Sequence, residues 1–273
     1  MTAPPLFSIV VPSLNPGRFL PQALDSLLAQ KASDLEILVV DGGSRDGSAE
    51  LLQRYAPQLA WWCSEPDAGQ SDALAKGFSH ASGRYLSWLN ADDILLPGML
   101  DAARRAIRSD APEWIVANQA YIDSEGRVLR CIQGERWHDF LYRRAMPHAY
   151  GPSSFFTREL YRRAGGIDVS LAYAMDHDLW LAFLRAGARH RRLRRYGWAF
   201  RRHEASKTQG GDEKRRAAEM EEFRRIGDKH GLRATASGVA LQRLWRLLDG
   251  ALLRGGWDTL RFAGKPWSRC FTP

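Results

Sequence analysis

The feature that most constrains this chain is a set of short, almost wholly apolar runs that each end on polar residues. Phe7-Ser8-Ile9-Val10-Val11 closes on Pro12, Glu36-Ile37-Leu38-Val39-Val40 closes on Asp41, and Tyr85 to Leu89 closes on Asn90. Runs of this length and composition predict strands buried on both faces. Between them apolar residues recur at helical spacing, as in Leu20, Ala23, Leu24, Leu27 and Leu28, and a further helix is expected over Asp72 to Ser79. Leu59 to Cys63, Trp114 to Asn118 and Arg127 to Ile132 read as additional strands, and Ser48 is placed to cap a helix over Ala49 to Tyr55. Alternation of strand and helix implies an α/β fold with a mainly parallel central sheet flanked by helices. With 273 residues, 45% of them apolar, the chain can bury one substantial core.

In sheets of this kind ligands bind outside the carboxyl ends of the strands. Those places read Pro12-Ser13-Leu14-Asn15, Asp41-Gly42-Gly43-Ser44 and Asn90-Ala91-Asp92-Asp93. Two adjacent carboxylates repel unless a cation or a donor sits between them, and their hard oxygens suit Mg²⁺ or Mn²⁺. The plain alternative is an Asx-type cap on the segment that follows. Asp41 is an acceptor-only group able to take hydrogen bonds from a base or a ribose, although Asp-Gly-Gly alone is a turn. The loop lacks both the dinucleotide fingerprint and the P-loop pattern, which disfavours a dehydrogenase or a kinase.

Two later segments carry chemistry. Met175-Asp176-His177-Asp178 opens an apolar helix, where a carboxylate either satisfies free amides or serves as a general base. Arg201-Arg202-His203-Glu204-Ala205-Ser206-Lys207-Thr208 is dense in donors for phosphate, and a lone histidine such as His203 is otherwise a packed or solvated residue.

Together these residues resemble the family-two inverting glycosyltransferases, which have the GT-A (nucleotide-diphospho-sugar transferase) fold. Val10-Val11-Pro12-Ser13-Leu14-Asn15 is similar to their opening. Val40 to Ser48 is similar to the end of their second strand, with Gly42 and Arg45 where Asp and Thr are frequent. Ser64-Glu65-Pro66-Asp67-Ala68-Gly69-Gln70-Ser71-Asp72-Ala73-Leu74-Ala75-Lys76-Gly77 resembles a motif of one subgroup, with Ala75 in place of Asn. Asn90 to Asp93 resembles the Asp-x-Asp metal motif, Met175-Asp176 the Glu-Asp motif without its Glu, and Arg202 to Lys207 the Arg-x-His-x-x-Ser ending. The resemblance runs from Phe7 to Thr208 and leaves residues 209–273 outside it.

The resemblance implies metal-dependent transfer of a sugar, with inversion, from a nucleotide-diphosphate-sugar donor to a hydroxyl of a glycan or lipid-linked acceptor, in cell-surface polysaccharide or glycan biosynthesis. It implies that Pro12, Ser13, Asn15, Asp41, Asp72, Lys76 and Asp92 bind the donor. Asp93 and His203 would hold the divalent cation, Mg²⁺ or Mn²⁺, and Asp176 would be the catalytic base, with Asp178 as the alternative. A nucleotidyltransferase on a similar sheet is the rival, though Asn15-Pro16-Gly17-Arg18 is a poor glycine-rich loop.

Charge sharpens the expectation. Lys and Arg number 39 against 31 acidic residues, a net +8, and five of the seven residues Arg189 to Arg195 are arginine. A nucleic-acid partner is nonetheless disfavoured, because acidic residues occupy the strand ends where a phosphate backbone would lie. Between Gly231 and Pro273 seven basic residues face two acidic ones, among leucines at helical spacing and Trp245, Trp257 and Trp267. That pattern suits an amphipathic helix over Val239 to Phe262, lying on an anionic membrane or packed on the main domain. The expected organisation is a catalytic domain over residues 1–208 and a helical extension over 209–273, which opens with a charged helix over Asp212 to Lys229. Three scattered cysteines and no apolar stretch of spanning length fit a cytoplasmic protein, or one held peripherally on the cytoplasmic membrane face.

Overall fold

The computed structural model describes residues 4–134, 151–204, 206, 213–232 and 235–272. Ala205, Lys207 and Thr208 of the histidine-bearing segment, the expected boundary at 208, and Asp212 at the start of the charged helix lie outside these residues.

Nine strands form one sheet: β1 (Phe7–Ser13), β2 (Leu35–Asp41), β3 (Trp61–Ser64), β4 (Tyr85–Trp88), β5 (Ile94–Leu95), β6 (Trp114–Ile122), β7 (Val128–Ile132), β8 (Ser154–Thr157) and β9 (His190–Arg201). Their order is β3-β2-β1-β4-β8-β6-β9-β5, with β7 on β6. Parallel pairing holds for β1–β2, β1–β4, β2–β3 and β6–β9. The pairs β4–β8, β5–β9, β6–β7 and β6–β8 are antiparallel. The N-terminal half is thus the expected parallel array, and the second half makes the whole sheet mixed.

The helices are α1 (Leu20–Leu28), α2 (Ser48–Tyr55), α3 (Gln70–His80), α4 (Met99–Asp110), α5 (Arg158–Arg163), α6 (Met175–Arg185), α7 (Glu213–His230), α8 (Ala236–Leu248), α9 (Ala251–Phe262) and α10 (Trp267–Cys270). Residues of the central strands alternate between two cores, as the two-residue period of a strand requires. Val10, Leu38 and Val40 face Leu74 and Phe78 of α3 and Leu179 and Trp180 of α6. Ile9, Val11, Ile37 and Val39 face Leu20, Leu24 and Leu27 of α1 and Leu100 of α4. At Gly77 a Cβ would come within 2.4 Å of Val10 Cγ1, so glycine lets α3 lie directly on β1.

Four local expectations are corrected. Ser48 is not the cap of α2: Gly47 holds that position with φ +87°, and Asp46 accepts from the Ser48 amide and hydroxyl at 3.2 and 2.6 Å. Val239 to Phe262 is two helices, because Gly250 at φ +73° turns the chain between α8 and α9. β1 does not close on Pro12 but runs on through it to Ser13, which pairs with Asp41 of β2. The charged helix α7 packs on the core, where Ile226 is 1% exposed beside Trp180 and Phe183.

Candidate functional site

The carboxyl ends of β1, β2 and β4 meet on one rim, and β9 arrives there through its pairing with β5 and β6. Asn90 to Asp93 follows β4 directly. The Asp93 side chain points into the protein: it is fully buried, Oδ1 accepts from the Arg201 amide at 2.8 Å and Oδ2 from Asn90 Nδ2 at 2.7 Å. Burial and the neighbouring Asp92 charge push the Asp93 carboxyl well above the usual carboxylate range, against these two donors. Asp92 points the other way. Its side chain is 26% exposed and Oδ2 lies 3.0 Å from His203 Nε2, which is itself 16% exposed.

Arg201 is the staple of this corner. It is fully buried, and its guanidinium donates to the Asp92 carbonyl at 2.8 Å, to the Asp123 and Ser124 carbonyls at 3.3 and 3.2 Å, and to Gln22 Oε1 at 2.8 Å. It is therefore occupied within the protein and corrects the reading of Arg201 as a phosphate donor. His203 Nε2 reaches Asp92 while its ring rests against Phe19, centroids 4.6 Å apart.

Asp41, at the end of β2, is a hub. It is fully buried, and its carboxylate accepts from the hydroxyls of Ser13 (3.0 Å), Ser44 (2.5 Å) and Ser64 (2.7 Å) and from the Ser44 amide (2.9 Å). Four acceptances fill two carboxylate oxygens, so Asp41 shapes the pocket wall through those serines. Pro12 is buried beside it, and Asn15 is exposed at φ +47°, with its side chain accepting from the Arg45 amide at 2.8 Å. Asp72 accepts from the Ala68 amide at 3.1 Å in the loop before α3, and Lys76 pairs with Glu65 at 2.9 Å.

The amino end of α3 ties this rim to the next carboxylate. Gln70 donates to Asn90 Oδ1 at 2.9 Å, and the Ser71 hydroxyl donates to the Leu171 carbonyl in the segment leading into α6. Asp176, in the first turn of α6, has a 22% exposed side chain, accepts from the His177 amide at 2.8 Å and lies 3.0 Å from His177 Nδ1. Burial pushes its carboxyl up, and His177 outweighs this, so its pKa lies below the usual value and the group is a carboxylate. Asp178 is 2% exposed and is taken by His230 at 2.7 Å and Lys229 at 2.8 Å, both at the end of α7.

One residue with no motif around it proves central. Glu222 of α7, 8% exposed, accepts from the consecutive amides of Ala172, Tyr173 and Ala174 at 2.7, 2.8 and 3.0 Å, in the turn that delivers Asp176. Its only sequence signal is an acidic residue on the same helix face as Ile226. A cavity of about 420 Å³ lies at the opposite, amino-terminal edge of the sheet, lined by Pro5, Gly83, Glu113 and Arg158, and holds none of these groups.

Could the corner hold a divalent cation? An oxygen and an imidazole nitrogen 3.0 Å apart, on β4 and β9 sides of the rim, have the spacing of neighbouring ligands roughly 2.1 Å from an octahedral ion. Among the described residues no group of three or more such side chains gathers, so the remaining positions would fall to phosphate and water.

A parallel half-sheet ending in an acidic loop beside a histidine, with helices on both faces, is the layout that the resemblance in the sequence implies. The comparisons with known proteins agree: residues 8–163 match the model for glycosyl transferase family 2, and the chain belongs to that family of transferase enzymes. It is 27% identical over 192 residues to an uncharacterised glycosyltransferase of Rickettsia prowazekii, covering 67% of this chain and 60% of that protein. A PGL/p-HBAD biosynthesis glycosyltransferase of Mycobacterium bovis is 40% identical over 96 residues, 34% of this chain and 38% of that protein. The chain thus spans well under two thirds of these relatives' lengths. In fold it is similar to S. aureus TarS bound to UDP-GlcNAc, with TM-score 0.61, 16% identity, and 76% of this chain and 61% of that one covered. It is also similar to the mannosyltransferase PcManGT from Pyrobaculum calidifontis in complex with GDP-Man and Mn²⁺, with TM-score 0.57, 17% identity, and 95% and 88% covered.

Proposed function

We propose that the protein transfers a sugar from a nucleotide-diphosphate-sugar donor to a hydroxyl of a glycan or lipid-linked acceptor, with inversion and with a divalent cation. The observation that carries this reading is the Asp92–His203 contact, partly exposed at the carboxyl end of the parallel strands. The metal role moves from Asp93 to Asp92, because Asp93 spends both oxygens inside the protein. A cation bound there supplies charge stabilisation for the departing diphosphate.

The chain's own groups do the rest. Ser13 and Asn15, set around the Asp41 hub, line the base end of the donor site, with Asp72 and Lys76 beside it. Asp176 accepts the proton of the acceptor hydroxyl as that oxygen attacks the anomeric carbon opposite the diphosphate. Asp178 is unsuited to this, since His230 and Lys229 hold it. Mn²⁺ and Mg²⁺ both suit the oxygen and imidazole set, and the liganded neighbours in the same fold, one with UDP-GlcNAc and one with GDP-Man and Mn²⁺, support this class of donor.

The test is release of nucleoside diphosphate from UDP-, GDP- and dTDP-sugars with Mn²⁺, before and after EDTA. The reading expects chelation to abolish release and Mn²⁺ to restore it. Release of pyrophosphate from a nucleoside triphosphate and a sugar 1-phosphate, with no nucleoside diphosphate released from the sugar nucleotides, would instead establish the nucleotidyltransferase.

A further inference from the structure

Helices α8 and α9 turn one face to the protein and leave the other to solvent. On the inner face Asp258 accepts from Tyr196 Oη at 2.6 Å and Gln133 at 2.8 Å, and the Thr259 hydroxyl accepts from the Cys131 amide at 2.9 Å. On the outer face Leu244, Leu248, Leu253, Trp257 and Leu260 are 50, 71, 65, 70 and 81% exposed. Their spacing, 244 to 248 and 253 to 257 to 260, makes a continuous apolar stripe along each helix. The sequence left open whether this segment packs on the main domain or lies on a membrane; the structure shows a packed face and, opposite it, an uncovered one.

Charge is sorted between the two faces. The acidic residues of this region, Asp249 and Asp258, both turn inward, Asp249 to Arg192 at 3.0 Å with its side chain 8% exposed. Arg243, Arg261, Lys265 and Arg269 are exposed. The outward surface is therefore leucine, tryptophan and basic side chains.

The arginine run of β9 joins the same region. Arg192 pins the α8–α9 turn through Asp249, and Arg195 Nη2 donates to the Thr272 carbonyl at 3.0 Å. Arg191, Arg194 and Arg195 line, with Arg105 of α4, a shallow groove of about 400 Å³ that has no carboxylate in its lining. Burial, and then the Arg105 charge, pull the Arg195 pKa down, with Asp101 acting the other way.

We propose that the outward stripe of α8 and α9, with the exposed Arg243, Arg261, Lys265 and Arg269 of the same region, docks the protein on an anionic lipid bilayer. The apolar side chains enter the boundary between headgroups and acyl chains while the guanidiniums meet lipid phosphates. A second copy of the chain could cover the stripe, but it would bring the same positive charge to the contact, whereas an anionic bilayer answers both the apolar and the basic side chains. No helix among the described residues is long and apolar enough to cross a membrane, so the contact is one of lying on the surface. This inference stands apart from the donor and the catalytic base.

Flotation of the full chain with phosphatidylcholine vesicles, with and without roughly 30% phosphatidylglycerol, tests it. The chain is expected to float with the anionic vesicles only, to be released as salt rises, and to shift its tryptophan emission to the blue on binding. Leu248→Glu/Trp257→Glu and Arg243→Glu/Arg261→Glu, all at exposed positions, should each lower the bound fraction at least ~10-fold while leaving the melting temperature unchanged. Equal binding to neutral vesicles, flotation of both variants like the parent, or absence of flotation would overturn the proposal. A dimer in sedimentation that Leu248→Glu/Trp257→Glu dissolves, with no flotation, would assign the stripe to a second copy instead.

Discussion

The Asn90–Asp93 loop and the first turn of α6 each carry two carboxylates within two residues of one another, and the protein treats the members of each pair oppositely. Asp93 and Asp178 are buried and fully partnered, one by an amide and Asn90, the other by His230 and Lys229. Asp92 and Asp176 keep side chains 26% and 22% exposed, each beside one histidine. Neighbouring acids of the same type thus divide into one that is spent on partners inside the protein and one that stays partly exposed. A buried carboxylate needs its donors to offset lost hydration, and having used them it has little left to offer a substrate.

The sharpest way to break this comparison is to neutralise the members of the second pair separately. Asp176→Asn should lower turnover at least ~10²-fold with donor binding kept, while Asp178→Asn stays within a few-fold of the parent, both read as nucleoside diphosphate release. The reverse order would make Asp178 the base. Next comes the support of the open member: Glu222→Ala frees the three amides before Asp176 and should reduce kcat by about ten-fold with little change in donor KM, because misplacement costs the chemical step. Rescue by Glu222→Gln, which keeps an acceptor oxygen, separates positioning from general loss of stability.

The closed members should show themselves in stability. Asp178→Ala leaves the buried His230 ring without its partner and should cost roughly 1–3 kcal/mol in urea unfolding, toward the low end because Lys229 is half exposed. The smallest effect is in pH. Burial pushes the Asp178 carboxyl up, but His230 and Lys229 outweigh it and hold its pKa below the ordinary 3.8. A depressed carboxylate stabilises the folded state above its unfolded pKa and loses that contribution as pH falls through the folded value. The gap between parent and Asp178→Asn should therefore be constant near neutrality and close as the pH drops below 3.8.

The two halves of the chain also differ in how much of them could be read. Strands β1, β2 and β4 were legible because each is an apolar run that gives way to polar residues within one or two positions, at Ser13, Asp41 and Asn90, and burial on both faces leaves few alternatives. β9 was not, since arginines at its start hide the strand pattern, and their partners lie far off at Asp249 and Thr272. The acidic motifs mark the segments at the strand ends but not which member of each turns outward. Which of Asp92 and Asp93 faces outward is set by Arg201, 108 residues away from Asp93, and no local spacing reports that. Glu222 had no motif at all, because its acceptors are spent on amides 48 to 50 residues earlier. Contacts also cross the expected boundary after residue 208: α7, beyond it, holds both ends of the segment around Asp176.

The most direct measurement is a Mn²⁺ titration, followed by electron paramagnetic resonance with UDP or GDP present, of the parent, Asp92→Asn and Asp93→Asn. The account predicts that the parent and Asp93→Asn bind Mn²⁺ with the nucleotide while Asp92→Asn weakens binding at least ~10-fold, as expected for loss of a direct ligand. Undiminished Mn²⁺ binding in Asp92→Asn, with loss in a folded Asp93→Asn, would contradict it.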